Sequence, residues 1–131
     1  MQRGEYKPGA RADPVRLTSA DLRWLTGLIK DGDVHPFYVW KKWLAERAFV
    51  LECDNNECQR HRERGRFCPA VVVHHRLHLR AAPQFALSMW RQDGGVWVRQ
   101  LESLCKECHD EEHPERLIKK IRPALTPERW D

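Results

Sequence analysis

Residues 71–75 read VVVHH, and residues 101–113 read LESLCKECHDEEH. The first run is rich in β-branched residues, so it predicts a short strand that ends in two adjacent histidines. Neighbouring side chains on a strand point to opposite sides, which gives His74 and His75 different surroundings. One of them can face a metal ion while the other faces a scissile phosphate, as metal-assisted hydrolysis requires.

The second run supplies two further imidazoles, His109 and His113, which share one face if the segment is helical. Together with His74 they predict a site for one divalent ion, with positions left open for water and phosphate oxygen. Imidazole favours Mn²⁺, Ni²⁺ or Zn²⁺, whereas Mg²⁺ prefers oxygen ligands and is less suited. Pro114 can kink the helix or restart it, so His113 is the weakest of the three predicted ligands.

A second metal site is predicted from cysteine spacing. Two residues separate Cys105 from Cys108, and two separate Cys58 from His61. This spacing lets both members of a pair reach one tetrahedral ion at ~2.3 Å, so the four residues predict a closed, structural zinc site. Cys53 is kept as an alternative ligand to His61. The competing interpretation is that the thiols are simply buried and bind no metal. Two pairs with the same spacing favour the zinc site over that interpretation.

The composition agrees with a small domain that a structural zinc ion would stabilise. The chain has 131 residues, of which 32% are charged and 41% hydrophobic, so its core is marginal without a metal. The net charge of +4 permits a polyanionic partner. No signal peptide or membrane span is visible, so we expect a cytoplasmic protein, where clustered cysteines bind metal. Cys68 is expected to be a packed free thiol.

Two helices are predicted ahead of these segments. Thr18 or Ser19 can cap a helix that runs to about Lys30. Pro36 then opens a second helical pattern, FYVWKKWLAERAFVLE, over residues 37–52.

Other parts of the chain carry weaker signals. Residues 1–16 contain little apolar material and predict a loose arm. Asp93-Gly94-Gly95 predicts a turn between two strand-like arms within residues 90–101. A helix is expected to resume after Cys108.

The combination of VVVHH with LCKECH resembles the HNH endonucleases, particularly the small phage-encoded type, over about residues 35–118. This resemblance implies an α+β fold, a small ββα-metal core stapled by a structural zinc, with N-terminal helices. It also implies three parts: an arm and helix at 1–34, an HNH nuclease domain at 35–122 and a C-terminal tail at 123–131.

The resemblance implies a role for each site residue. His74 falls at the first metal ligand, which is often Asp in the family, and His75 falls at the general base. His109 falls at the helical metal ligand, and His113 matches an additional histidine of colicin-type nucleases. Gln100 stands where the family has the Asn that braces the loop carrying the base, and its amide has a longer stem.

The implied function is a metal-dependent DNA endonuclease that leaves 5′-phosphate and 3′-hydroxyl ends. In this hypothesis His75 takes a proton from an in-line water, while the metal neutralises charge on the phosphate and the leaving oxygen. DNA is expected to be held mostly through its backbone. Four arginines are candidates for phosphate contacts, with a solvated surface role as the alternative: Arg76, Arg80, Arg91 and Arg99.

Two further expectations concern partners and the competing function. The likeness to phage-type members suggests a nuclease that assists a phage terminase, in the host cytoplasm. The alternative is a non-catalytic zinc-binding module that binds DNA or protein. Gln100 slightly favours that alternative, whereas the adjacent pair His74-His75 argues against it, because a structural site needs neither histidine.

Overall fold

The structure is a computed structural model that describes residues 11–112. Its elements in chain order are α1 (Ser19–Asp31), α2 (His35–Tyr38), α3 (Lys41–Cys53), α4 (Gln59–Glu63), β1 (Val72–His75), a 3₁₀ turn (Pro83–Phe85), β2 (Trp90–Asp93), β3 (Val96–Arg99), β4 (Leu101–Leu104) and α5 (Lys106–Glu111). The predicted tail at 123–131 and the end of the predicted nuclease domain lie outside the described residues.

Helix α1 begins and ends where local signals predict. The Thr18 hydroxyl accepts the Asp21 N–H at 3.1 Å, and the Asp21 carboxylate accepts the Thr18 N–H at 3.0 Å. This reciprocal pair is a capping box, which satisfies two backbone donors at the start of the helix. Gly32 ends the helix with a φ of 79°, a conformation that glycine adopts without strain.

The second predicted helix is interrupted, so the prediction of a single helix over residues 37–52 is wrong. The chain leaves the helical conformation at Val39 and Trp40, and Trp40 is extended, with φ −74° and ψ 138°. The Trp40 ring packs 4.8 Å from that of Trp24 on α1 and 6.0 Å from that of Phe37. Tertiary packing of these aromatic rings thus prevails over helix propensity.

Two small antiparallel sheets follow. Strands β2 and β3 form a hairpin whose two turn residues, Gly94 and Gly95, have φ values of 60° and 83°. This confirms the predicted turn, because such conformations suit a two-residue hairpin loop. Strand β4, which the sequence does not separate from β3, pairs with β1 so that Glu102 lies opposite His74.

The arm and α1 pack on the same core as the later elements. Leu25 of α1 is fully buried in a cluster with residues of α2, α3, β1 and β4. The Asp13 carboxylate accepts the Met89 N–H at 3.1 Å, and Val15 packs against the core. The prediction of a loose arm is therefore wrong for residues 11–16, because these contacts fasten the segment to the domain.

Helix α5 completes a ββα unit with β1 and β4. It begins at Lys106, ahead of the predicted start, because Cys105 acts as its cap and accepts the Cys108 N–H on its sulfur at 3.4 Å. The early start brings His109 onto the helix. Within residues 11–112, no helix combines the length and apolar character that crossing a bilayer requires.

Candidate active site and metal centre

The four residues predicted to bind zinc are brought together. The ligand atoms of Cys58, His61, Cys105 and Cys108 all lie within 4.8 Å of one another. The His61 Nδ1 atom is 3.3 Å from the Cys58 sulfur, 3.7 Å from that of Cys105 and 3.4 Å from that of Cys108. Tetrahedral coordination at ~2.0–2.3 Å separates ligand atoms by ~3.3–3.8 Å, so the donor set fits a zinc ion.

Helix ends position this cluster. Cys58 caps α4 and Cys105 caps α5, so each pair places its second ligand within the first turn of a helix. Burial raises the pKa of the Cys108 thiol, and hydrogen bonds with Cys105 and Cys58 raise it further. The positive charge of a divalent cation would offset the repulsion between neighbouring thiolates. Binding of such an ion would therefore release the thiol protons.

The other two cysteines have different surroundings. Cys53 ends α3 and packs against the main core, and the metal-type cluster found among residues 11–112 does not include it. Cys68 borders the cluster, and its carbonyl accepts the Cys58 N–H at 2.7 Å. The geometry therefore favours His61 over Cys53 as the fourth ligand.

The two adjacent histidines of β1 face opposite ways, as the strand pattern predicts. The buried His74 ring lies 5.2 Å from the His109 ring on α5, measured between centroids, with the planes at 71°. His78, on the loop after β1, has its ring 6.0 Å from that of His74. His113, the third predicted ligand, lies outside the described residues.

His75 points into the core. Its ring stacks on Trp43 at 4.9 Å and 23°, and its Nε2 atom is 3.1 Å from the Ala86 carbonyl oxygen. A carbonyl can only accept, so Nε2 must carry the proton in this hydrogen bond, which leaves Nδ1 as the acceptor. Burial lowers the pKa of His75 to about 4. The imidazole is therefore neutral near pH 7 and has a defined tautomer.

Gln100 braces the loop that follows β1. Its side chain is fully buried, with Nε2 donating to the Leu77 carbonyl at 2.9 Å and Oε1 accepting the Leu77 N–H at 3.1 Å. The same oxygen accepts from Arg91 Nε at 3.1 Å, and the Gln100 carbonyl accepts the Arg76 N–H at 2.7 Å. The longer amide thus makes the kind of loop contact that the resemblance implies for this position.

Three charged residues beside His74 were not singled out from the sequence. Arg60 donates to both oxygens of Glu112, at 3.2 and 3.0 Å, and to Glu102 at 3.1 Å. Glu112 Oε1 lies 3.7 Å from His74 Nε2. The spacing in the sequence could have indicated Glu112, because it lies three residues after His109. No local spacing could have indicated Arg60, because its contact with Glu112 joins segments that are distant along the chain.

The four arginines predicted to contact phosphate fall into two groups. Arg76 and Arg80 are exposed on the loop after β1. Arg91 donates to the buried Gln100 side chain at 3.1 Å, and Arg99 donates to the buried Asp54 carboxylate at 2.7 Å and lies over the Trp90 ring, so both guanidinium groups support the fold. The exposed pair therefore has the better access to a polyanion.

Comparison with known proteins decides the fold family. No family model and no curated protein matches the chain. Among solved structures, the chain is similar to the crystal structure of the deep-sea thermophilic bacteriophage GVE2 HNH endonuclease with manganese ion. The identity is 25%, the TM-score is 0.56, and the match covers 78% of this chain and 97% of that one. The chain has an HNH endonuclease fold.

The HNH fold confirms the predicted fold class and the predicted resemblance, and it supports a nuclease function in general. In this HNH fold, the Cys/His cluster joins α4 to α5 at one end of the ββα unit. The paired rings of His74 and His109 lie between β1 and α5. The similarity to the GVE2 endonuclease does not favour the alternative function, a non-catalytic zinc-binding module.

Proposed function

We propose that the protein is a metal-dependent DNA endonuclease that hydrolyses phosphodiester bonds to 5′-phosphate and 3′-hydroxyl ends. The observation that carries this proposal is the meeting of His74 and His109, with ring centroids 5.2 Å apart, in an HNH fold. His75, the next residue along β1, supplies a neutral imidazole with a defined tautomer.

His74 and His109 would hold the catalytic ion, and the sulfur-rich cluster would hold a structural zinc. Two imidazoles from different elements suit a divalent transition metal such as manganese, which accompanies the GVE2 enzyme in its crystal structure. When bound, the ion supplies positive charge that stabilises the phosphate as negative charge develops on it. His113 stays a predicted third ligand.

His75 acts as the general base in this proposal. Its Nε2–H donates to the Ala86 carbonyl, so Nδ1 is the atom that would take a proton from the attacking water. The ring packs in the core on the side of β1 opposite His74, so this role requires the ring to become accessible to the bound phosphate when DNA binds. The Ala86 carbonyl dipole then stabilises the positive imidazolium, because it accepts from the protonated ring. General-base help of this kind contributes ~10²–10⁴-fold to a rate.

Gln100 acts as a positioning residue. By clamping both backbone groups of Leu77, it holds the loop that leaves β1 two residues after His75. This loop also carries Arg76 and Arg80, which we propose contact the DNA backbone. Such contacts carry little sequence information, so we expect weak sequence specificity.

A role beside a phage terminase extends the proposal. The support is the phage origin of the similar GVE2 endonuclease. Terminase genes next to the gene for this chain, and co-purification of the two proteins, would test it.

Cleavage of supercoiled plasmid by the full chain tests the proposal. With Mn²⁺ we expect nicked or linear DNA, and none after EDTA is added. His75→Ala should abolish cleavage and retain DNA binding, and it should stay folded at the assay temperature with a lower melting temperature, because the buried ring and its hydrogen bond to Ala86 are lost. His35→Ala, the same change at an exposed histidine, is the matched control and should cleave normally. Normal cleavage by the H75A variant would refute the assignment of the base.

A further inference from the structure

The carboxylate of Glu112 lies at the edge of the His74–His109 pair. Its Oε1 atom is 3.7 Å from His74 Nε2. Glu112 follows the last residue of α5 in helical conformation, with φ −78° and ψ −9°, three residues after His109. Residues three apart on a helix share a face, so the side chains of Glu112 and His109 can extend toward the same position.

The distance is close to the separation of two ligands that share an ion, and the two atoms do not form a direct hydrogen bond. At 3.7 Å the two atoms are beyond hydrogen-bond range, which ends near 3.2 Å for N–H···O. Two ligands of one ion with bonds of ~2.0–2.2 Å lie ~3.0–3.5 Å apart. A shift of a few tenths of an ångström would bring these two atoms to that separation. Within residues 11–112 the ligand atoms of His74, His109 and Glu112 do not all lie within 4.8 Å of one another, so binding one ion would also require a side-chain movement that brings His109 to the same point.

Arg60 holds this carboxylate in place. Its guanidinium donates to both Glu112 oxygens and also to Glu102, which lies opposite His74 on β4. An ionised carboxylate has about four lone-pair sites, so a carboxylate oxygen that accepts from Arg60 can also contact a cation. A bidentate contact also fixes the orientation of the carboxylate plane better than a single bond does.

We propose that Glu112 is an oxygen ligand of the catalytic ion, alongside His74 and His109, and that Arg60 positions its carboxylate. The inference rests on the proposed function, because it concerns the ion that the two histidines hold. One oxygen ligand makes the site better suited to Mn²⁺ than imidazoles alone, since manganese accepts carboxylates readily. Arg60 stands between Cys58 and His61, so the zinc cluster would also support the placement of Glu112.

Titration of Mn²⁺ into the zinc-loaded full chain, followed by calorimetry in the absence of DNA, tests this inference. Glu112→Gln keeps the size of the side chain and removes its charge, and should weaken Mn²⁺ binding roughly tenfold or more. Glu111→Gln makes the same change at the exposed neighbour and should leave the affinity within about twofold. If Glu112→Gln lowers the melting temperature too far, Glu112→Asp, with its shorter arm, should show a similar loss.

The outcomes separate the inference from the proposed function. Wild-type binding that Glu112→Gln or Glu112→Asp leaves unchanged, while His74→Ala abolishes it, would overturn the role of Glu112 alone. An equal loss in Glu111→Gln would assign the effect to general charge and would also overturn it. A wild-type protein that binds no Mn²⁺ would contradict the proposed function itself.

Discussion

The imidazole of His74 on β1 faces that of His109 on α5, with ring centroids 5.2 Å apart. The β1–β4 pairing and the cap of α5 at Cys105 bring these two distant segments together. We propose that this pair binds one ion, so changes to either histidine, or to the contacts that hold them, should have measurable effects on metal binding and cleavage.

The two histidines should act as a unit. His74→Ala and His109→Ala should each slow Mn²⁺-dependent plasmid cleavage strongly and to a similar residual rate, because an ion needs both ligands. The double variant should be no worse than either single variant, since effects of groups that act together are not additive. Single-turnover cleavage rates measure this. Losses that multiply in the double variant would show that the two residues work independently.

The Cys/His cluster should hold one zinc ion that stabilises the fold. His61→Ala should purify without zinc and melt more than about 10 °C lower, because the site joins α4 to α5. His61→Cys should retain zinc, since thiolate is an equally good ligand. Metal analysis and thermal melting measure both effects. Cys53→Ser is the control and should keep its zinc. If it loses zinc while His61→Ala keeps it, the alternative ligand is correct.

Gln100 should matter for both stability and rate. Gln100→Ala removes the partners of the Leu77 N–H and carbonyl and should lower the free energy of unfolding by about 1–3 kcal/mol. Cleavage should slow as the loop after β1 loosens. Urea unfolding and plasmid cleavage report the two effects. Gln92→Ala, at an exposed position on β2, should change neither. Identical behaviour of the two variants would exclude the bracing role.

Glu46 should make the protein less stable as pH rises. Its buried side chain lies beside the Asp13 carboxyl, and burial, followed by that neighbour, raises the pKa of Glu46 to about 10. A proton on Glu46 avoids an unpaired negative charge in the core beside Asp13. Between the ordinary value of 4.5 and about 10 the folded state binds the extra proton, so its stabilising effect is complete below pH 4.5 and is lost across this window.

Unfolding at several pH values measures this linkage. Above pH 5 the group should lower the free energy of unfolding by up to ~1.4 kcal/mol per pH unit. Glu46→Gln should remove this slope, and Glu52→Gln, an exposed position on the same helix, should keep it. A Glu46→Gln variant with the slope of the wild type would contradict the prediction.

Local signals in the sequence predicted much of the fold. The Thr18 cap, Gly32 and the Gly94-Gly95 turn act over a few residues, so their structures follow from short-range geometry. Spacing within each pair also predicted the cluster of Cys58 with its three partners, because one helical turn places both ligands.

Contacts between distant segments could not be predicted in the same way. The break at Trp40 depends on a ring from another helix, Trp24, which no local pattern encodes. The pairing of Arg60 with Glu112 depends on how α4 meets α5. The nearness of His78 to His74 likewise arises only when the loop after β1 folds back.

The location of bound ions tests the two-metal proposal most directly. Crystals of the full chain grown with zinc and soaked in Mn²⁺ would show each metal by its own anomalous scattering. We predict zinc within the Cys58–His61–Cys105–Cys108 cluster and a separate manganese between His74 and His109. Manganese bound elsewhere, with no ion between those two histidines, would contradict the proposal.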